Sequence, residues 1–238
     1  MNKTLQKKTG TPGRRPKSSS ADMDTREALL AAARRVFANR GFEGTSIREI
    51  AEAAKVNKAM IYYHFKDKVD LYRAVLSSSF TELQKIWEDD IFESSASARE
   101  KLQTYIEGFI RFEQGNEELR RIFSTDFTGF GENVKWTADN YFAENYSRLA
   151  AIIEDGARSG EIKKVKTQLA IITLIGMIAH SFMFQPIAEY VSGSKLELSP
   201  ARFGAFVTEL FFDGLAPRSG RNGKGRRGID RRAKQSSY

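Results

Sequence analysis

The chain has 238 residues, of which 41% are hydrophobic and 11% aromatic, so it can bury a substantial core and is not a disordered polypeptide. It contains no cysteine and only two histidines, which excludes disulfide scaffolds, cysteine-ligated zinc and thiol catalysis and disfavours a multi-histidine metal centre. The formal net charge of +8 indicates a polyanionic partner.

The positive charge is concentrated at the two ends of the chain. Residues 1–23 carry six Lys or Arg and one Asp, and residues 217–238 carry eight and one. Residues 24–68 carry nine basic and six acidic side chains, whereas residues 69–216 have a net charge of −7. This pattern predicts four parts. They are a disordered basic arm (1–22), a basic head (23–68), an acidic helical body (69–216) and a disordered basic tail (217–238).

The most apolar run of the sequence spans residues 169–184 and includes Thr, Gly, His and Ser. A membrane-spanning helix needs about 20 apolar residues, so we interpret this run as a buried helix and expect no membrane association. Residues 10–20 contain only Gly, Thr, Pro, Arg, Lys and Ser, which is not typical of a signal peptide. A cytoplasmic protein is therefore expected.

The first predicted helix begins at Asp24, because Asp can cap a helix and Glu27 stands three residues later, as in a capping box. Apolar side chains then recur on one helical face, at Leu29, Ala32, Ala33, Val36 and Phe37. Gly41 predicts the end of this helix, since glycine readily adopts the left-handed conformation of a helix terminus.

Two short helices joined by a tight turn are predicted next. Ser46 and Glu49 form the capping box of the first of them. After the turn, Asn57 caps the second, which continues through Phe65.

The rest of the chain also has helical periodicity. A fourth helix begins at Asp67 and runs to about residue 90. The remaining predicted spans are 97–114, 117–126, 133–158, 167–191 and 199–215. Because no stretch shows the two-residue alternation of a strand, we predict an all-α fold of about nine helices.

Three short helices in the head, the last two joined by a tight turn, indicate a helix-turn-helix. A more specific pattern is carried by Phe37, Gly41, Phe42, Thr45, Ser46, Ile50, Ala51, Ala54 and Val56, followed by Tyr62, Tyr63, His64, Phe65, Lys68 and Leu71. This pattern resembles the DNA-binding domain of the tetracycline-repressor (TetR) family. The rest of the chain resembles that family only in layout.

The resemblance implies an N-terminal helix-turn-helix domain followed by a helical ligand-binding and dimerisation domain. It also implies a ligand-responsive transcriptional repressor that binds a near-palindromic DNA operator as a dimer. A small apolar or aromatic molecule is expected to release it.

The third helix can present polar side chains on one face and apolar ones on the other, as a helix in a DNA groove requires. The groove-facing candidates are Asn57, Lys58, Tyr62, Tyr63 and His64. The candidates for packing inward are Val56, Phe65 and either Met60 or Ile61.

The resemblance assigns roles to single positions. It implies base contacts by Lys58, Ala59, Met60 and Tyr63, and phosphate contacts by Tyr62, His64 and Lys68. Thr45 and Ser46 lie where a helix N-terminus can bind phosphate through amide and hydroxyl groups, with Arg48 assisting. The alternative roles are structural: core aromatic for Tyr62 and Phe65, surface residue for His64, solvated charge for Lys58 and helix cap for Thr45.

The chain departs from the family at two positions, since Lys55 and Ala59 stand where glycine is usual. Lys55 is therefore expected to occupy an awkward turn conformation. The methyl group of Ala59 can contact a thymine methyl. Because Lys58 is the one long basic side chain available to read bases in this helix, we expect readout of DNA shape to contribute.

The basic ends offer additional contacts with DNA. Residues 12–17 resemble the arginine arms that enter narrow minor grooves, with a solubilising segment as the alternative. The C-terminal basic run could add nonspecific affinity, but we favour a role in solubility.

The last two predicted helices, 167–191 and 199–215, have strongly apolar faces that require burial. The side chains involved are Ile171, Leu174, Ile175, Ile178 and Phe182 on the first, and Phe203, Phe206, Val207, Leu210 and Phe211 on the second. The resemblance implies a homodimer through these helices, with core packing as the alternative. A dimer is favoured because one helix-turn-helix has few DNA contacts.

Aromatic side chains in the body are candidates to line an inducer pocket, with ordinary core packing as the alternative. The candidates are Tyr105, Phe109, Phe112, Trp136, Tyr141 and His180. The sequence does not identify the inducer.

Two other functional classes are alternatives. An architectural DNA-binding protein without an inducer is the alternative function, and it would bind random and operator DNA nearly alike. An enzyme is disfavoured because the sequence has no glycine-rich phosphate loop, nucleophile elbow or metal-ligand cluster. No catalytic residue, metal or cofactor is predicted.

Overall fold

A computed structural model of the protein describes residues 19–127 and 131–215. The predicted basic tail and all but the last four residues of the predicted basic arm lie outside the described residues. Those last four residues, 19–22, are helical, which contradicts their prediction as disordered.

Every regular element in the described ranges is helical, in agreement with the predicted all-α fold. The α-helices are α1 (Ser19–Arg40), α2 (Ile47–Ala54), α3 (Lys58–His64), α4 (Lys68–Gln84), α5 (Ala98–Gly115), α6 (Glu117–Asp126), α7 (Glu132–Thr137), α8 (Ala143–Ser159), α9 (Thr167–Ser192) and α10 (Pro200–Leu215). A π-helical turn, Ala138–Phe142, joins α7 to α8 without a break. The described residues therefore form nine helical stretches besides two short 3-10 helices, Lys85–Glu88 and Asp90–Phe92.

Most predicted helix boundaries agree with the structure to within one or two residues, but two do not. Helix α1 begins at Ser19, so Asp24 lies inside the helix and cannot cap it. Helix α4 ends as an α-helix at Gln84 and continues as a 3-10 turn through Glu88. The apolar spacing continues across this change, since Leu83 and Trp87 are both buried.

The chain divides into two compact units. The first contains residues 1–88 and 111–145, and the second contains residues 89–110 and 146–238. The predicted boundary between head and body, after residue 68, falls inside the first unit.

The first unit is built around the apolar face of α1. Leu29 and Phe37 are fully buried there, together with Tyr72 of α4. The Phe37 and Tyr72 rings meet edge to face with centroids 5.0 Å apart, and Phe42 packs on Tyr72 at 4.9 Å. Burial of aromatic rings contributes most of the apolar area in such a small core. These rings hold the start of α2 in place.

The second unit buries one face of α9 and one face of α10. The Phe182 and Phe203 rings meet edge to face at 6.3 Å. Four of the five α9 side chains predicted to seek a partner helix are buried inside this unit, and Ile175 is half-buried; the four are Ile171, Leu174, Ile178 and Phe182. The core-packing alternative is therefore correct for this face. On α10, Phe203, Val207 and Phe211 are buried as well, whereas Phe206 and Leu210 are exposed.

One buried carboxyl group makes the stability of the first unit depend on pH. Glu113 of α5 is 7% exposed, and its Oε2 lies 3.6 Å from the Arg120 guanidinium. Burial raises the pKa of Glu113 to about 7, and Arg120 offsets only part of that effect. The folded protein thus binds a proton that the unfolded chain releases at lower pH.

We predict that the wild type loses stability as the pH rises and that Glu113→Gln abolishes this pH dependence. A carboxyl group whose pKa is raised by folding stabilises the folded state fully at pH values below its unfolded-state pKa. This stabilisation is lost as the pH rises to the folded-state pKa, here between about pH 4.5 and about pH 7. Above pH 7 the variant should be more stable than the wild type by about 1–3 kcal/mol, measured by urea unfolding at a series of pH values. The exposed Glu117→Gln is the control, and equal pH slopes for all three proteins would contradict the prediction.

Candidate nucleic-acid interface

Helix α2 begins with the predicted capping box. The N–H of Ser46 donates to Glu49 Oε2 at 2.8 Å, and the N–H of Glu49 donates to Ser46 Oγ at 3.3 Å. These bonds satisfy two amide groups that the helix itself leaves unpaired. Ser46 and Arg48 are exposed, and Arg48 pairs with Glu52 at 2.8 Å across a solvated surface. Such an exposed pair is weak, so Arg48 can exchange it for another anion.

The turn between α2 and α3 depends on a strained residue. Lys55 has φ 57° and ψ 39°, and it is the one non-glycine residue with positive φ in the part of the chain that the structure describes. This conformation costs a non-glycine residue about 1–2 kcal/mol. The N–H of Val56 donates to the carbonyl of Ala51 at 3.0 Å and closes the turn. The predicted awkward conformation at Lys55 is confirmed.

Helix α3 separates buried and exposed side chains by face. Its N-cap is Asn57, whose Oδ1 accepts from the Met60 N–H at 2.9 Å, as predicted. Ile61 is fully buried and Phe65 is 3% exposed, which decides the inward-facing residue in favour of Ile61 and makes Phe65 a core aromatic.

The opposite face of α3 is open. Tyr62 is 50% exposed and Tyr63 is 70% exposed, so Tyr62 is not a core residue. Lys58 is exposed and its ammonium lies 5.7 Å from the centre of the Tyr62 ring. Ala59 is also exposed, and Met60 is half-buried. This face therefore carries one cation and two phenol groups.

Thr45 does not fit its predicted role. Its side chain is 4% exposed, and its hydroxyl donates to the carbonyl of Gly41 at 2.7 Å. The cap of α2 is Ser46, so neither a phosphate contact through the hydroxyl nor a capping role applies to Thr45. The side chain instead closes the turn that follows α1.

Lys68 is also engaged within the protein. Its ammonium donates to the carbonyls of Phe42 and Thr45 at 2.9 and 3.1 Å and lies 4.2 Å from the centre of the Phe42 ring. The structure therefore assigns Lys68 to joining α4 to the loop before α2, which differs from the predicted phosphate contact.

His64 is half-buried and its ring meets Tyr63 at 4.9 Å. Its Nε2 is buried and has no hydrogen-bond partner among the described residues. The predicted phosphate contact of His64 stays a prediction.

Asp126, at the end of α6, supports the head from outside the helix-turn-helix. Both carboxylate oxygens accept from the N–H of Phe42 at 3.1 Å, and Oδ2 also accepts from the Tyr72 hydroxyl at 3.0 Å. Burial and the Asp126 charge both raise the pKa of Tyr72. The sequence carried no signal for this contact, because Asp126 is 84 residues from Phe42 and belongs to no local motif.

The six residues predicted to bind a ligand are divided between the two units. In the first unit, Phe112 and Tyr141 pack on Phe80 at 6.3 and 4.9 Å, and Trp136 meets Tyr141 at 5.8 Å. In the second unit, Tyr105 and Phe109 are buried and stack at 5.9 Å. Tyr105, Phe109 and Phe112 are buried core residues, whereas Trp136 and Tyr141 are half-buried.

His180 is exposed on α9, with its ring parallel to Phe184 at 6.2 Å. It is therefore not a core histidine. Among the residues that the structure describes, no group of three His, Asp or Glu side chains could hold a metal ion.

Comparison with known proteins identifies similar regulators. Residues 29–75 match the family model described as bacterial regulatory proteins of the tetR family. The HTH-type transcriptional regulator RutR of Escherichia coli (strain K12) is 25% identical over 212 residues, which cover 87% of this chain and 97% of RutR. The match therefore extends beyond the head to most of the chain.

Solved structures share the fold. FadR from Bacillus subtilis, in complex with stearoyl-CoA, aligns with a TM-score of 0.63 at 23% identity over 79% of this chain and 98% of FadR. AibR, in complex with isovaleryl coenzyme A and operator DNA, aligns with a TM-score of 0.62 at 21% identity over 79% of this chain and 98% of AibR.

We predict that Asp126→Ala destabilises the protein by about 1–3 kcal/mol, because it leaves the Phe42 amide and the Tyr72 hydroxyl without their acceptor. Urea unfolding measures the loss. Hydrogen exchange should accelerate at the Phe42 amide more than at amides within α1. Asp139→Ala, an exposed aspartate in the π-helical turn, is the matched control. Unchanged exchange at Phe42 in the Asp126 variant would refute the role of this carboxylate.

Proposed function

The chain belongs to the TetR family of bacterial transcriptional regulators, and we propose that it is a ligand-responsive repressor that binds a near-palindromic operator as a homodimer. Members of this family bind DNA and are not enzymes. The observation that carries the proposal is the exposed face of the capped helix α3, which presents Lys58, Tyr62 and Tyr63 to solvent.

The proposed contacts follow from exposure and chemistry. Lys58, Ala59 and Tyr63 are the base-reading candidates, with Met60 beside them at the edge of the core. Tyr62 contacts phosphate, and so do the exposed Ser46 and Arg48 at the start of α2, where the helix dipole favours an anion. Asn57 caps α3 and contributes mainly to its position. Thr45 and Lys68 support this surface from beneath, because their polar groups are bonded inside the head.

Exposed apolar side chains on α9 support the proposed dimer. The helix buries one face in its own unit and leaves seven large apolar side chains exposed on the others. These are Leu169, Ile172, Met183, Phe184, Ile187, Tyr190 and Val191. Phe206 at 59% and Leu210 at 53% exposure extend the apolar surface on α10. So many exposed large apolar side chains on two helices are typical of an interface.

Helix α9 is also long and apolar enough to cross a membrane by length and composition, with 28% of its most apolar window buried. A helix that is covered on one face by its own unit and on another by a second copy has the same composition. We therefore propose the dimer as the reason for its hydrophobicity, and a cytoplasmic location for a regulator that binds DNA.

The inducer is proposed to be a small apolar or aromatic molecule that binds in the helical body. Aromatic rings are dense there, as shown by Phe80, Phe112 and Tyr141, and such rings favour flat or apolar ligands. Ligand binding releases DNA only if the ligand prefers the DNA-incompetent state, and a preference of about 1.4 kcal/mol changes operator affinity tenfold.

An architectural DNA-binding protein is the competing function, and DNA specificity distinguishes the two. Selection from genomic DNA should recover a near-palindromic site bound at least 10³-fold more tightly than random DNA. Tyr62→Ala should weaken binding to all sequences, whereas Lys58→Gln and Tyr63→Ala should change base preference, since the first removes a phosphate contact and the others base contacts.

The matched control is Tyr146→Ala, an exposed tyrosine of α8, which should bind as the wild type does. The operator complex is then titrated with stearoyl-CoA, isovaleryl-CoA and neutral aromatic compounds, and one class should dissociate it. Equal affinity for operator and random DNA would instead support the architectural function. Wild-type base preference in both α3 variants would refute the assigned readers.

Substitution on the apolar surface tests the dimer. Ile172→Glu and Phe206→Glu should each shift the protein to monomer, because a buried unpaired carboxylate is costly, while each isolated chain remains folded. Analytical ultracentrifugation measures the state and circular dichroism the fold. Met23→Glu, at a 62% exposed apolar residue of α1, should leave the state unchanged. A wild-type monomer at micromolar concentration would contradict the proposal.

A further inference from the structure

We propose that a cleft between α1, α4 and α7 is a second small-molecule site, which binds an organic anion with a flat apolar part. The cleft has a volume of about 530 Å³, which suits a small ligand. Its walls include Arg26, Leu30, Arg73, Ser77, Thr81 and Trp136. All of them belong to the first unit. Trp136 is also a candidate for the inducer pocket, but the other wall residues are not, so the cleft goes beyond that pocket.

Two guanidinium groups give the cleft its preference for anions. Arg73 lies over the Trp136 ring at 5.2 Å, and Arg26 lies over the Phe65 ring at 5.2 Å. Neither guanidinium has a hydrogen bond or ion pair within the described residues. The Nε of Arg73 is moreover buried without an acceptor there. A buried donor of this kind costs free energy that an anionic acceptor recovers.

One carboxylate also lines the cleft, but it is directed to the backbone. Asp70 Oδ2 accepts from the N–H of Lys66 at 2.9 Å. It does not pair with Arg26 or Arg73 in this structure, so the cleft retains two cations against one anion. Trp136 and Leu30 supply the apolar part of the wall, and the Arg73 guanidinium over Trp136 is a planar donor of the kind that binds anions through two hydrogen bonds.

The cleft is connected to the helix that faces DNA. Phe65, under Arg26, is the C-cap of α3, and Asp70 holds the amide of Lys66 in the loop that follows. An anion that draws Arg26 toward Arg73 removes the cation from the Phe65 ring and changes the support of α3. Occupancy of the cleft should therefore alter affinity for DNA.

A small molecule is favoured over a DNA phosphate as the occupant. The anion-binding groups lie at a concave site with an aromatic wall, and Arg73 is half-buried, whereas a phosphate backbone is contacted by exposed side chains along a groove. A small organic anion and a DNA phosphate would both bind the arginines through anionic oxygens. The experiment below therefore includes a measurement that distinguishes them.

The test uses the full chain with Trp87→Phe, which leaves Trp136 as its single tryptophan. Phenyl phosphate is titrated by fluorescence and by calorimetry, with inorganic phosphate and neutral benzyl alcohol for comparison. Phenyl phosphate should bind saturably with Kd of about 1 mM or lower, more tightly than either comparison probe. Arg73→Gln should weaken it at least tenfold and Arg26→Gln at least threefold, as read by calorimetry. Arg73→Lys should be intermediate.

Arg158→Gln, on an exposed arginine of α8, is the control and should bind as the parent protein does. Equal binding of benzyl alcohol, or unchanged phenyl phosphate binding in both arginine variants, would overturn the proposal. DNA binding is also measured as a function of salt concentration for Arg73→Gln and Arg26→Gln. If each variant lowers the steepness of log K against log salt by about 0.9, the arginines contact DNA phosphates, and the proposal is overturned. Because anion binding is measured without DNA, a negative result would refute the anion site without bearing on the proposed function as a DNA-binding regulator.

Discussion

The surface proposed to face DNA depends on the burial of two side chains of α3. A helix of seven residues is not stable alone in water, because nucleation costs more than so few hydrogen bonds return. Ile61 and Phe65 fasten it to the core of the first unit, and Asn57 caps its first turn. Once these residues are placed, helical geometry directs Lys58, Tyr62 and Tyr63 outward. The strained turn at Lys55 is tolerated because this packing determines it from both sides.

The head is not an independent part in this structure. Asp126 holds the loop before α2, and Arg34 of α1 donates to Asn116 at 2.6 Å just before α6. The Asn116 side chain in turn donates to Glu82 of α4 at 3.0 Å. Asp126 and Asn116 are thereby hydrogen-bonded to the head and to helices α1 and α4 on either side of it. A change in the position of α6 would therefore be transmitted through these hydrogen bonds to the surface proposed to face DNA.

Helices α9 and α10 show why hydrophobic periodicity alone misassigned one surface. Both helices are apolar on more than one face, so the pattern could not say which face the chain itself covers. The structure buries Ile171, Leu174 and Ile178 internally and exposes Ile172 and Phe206. On α9, the apolar surface proposed for a second copy is therefore a different face from the one that spacing first indicated, whereas on α10 it includes Phe206 and Leu210 of the predicted set.

Local chemistry was sufficient for the class of fold, most helix ends and the separation of buried and exposed side chains on α3. Caps such as Ser46 and Asn57 act over three or four residues, and their consequences are visible in the sequence. The tertiary structure alone decided the burial of Thr45, the carbonyl contacts of Lys68 and the role of Asp126. Each of these depends on residues that are distant in sequence or on the space beneath a helix. A local sequence pattern does not specify which distant residues meet or how much room lies beneath a helix.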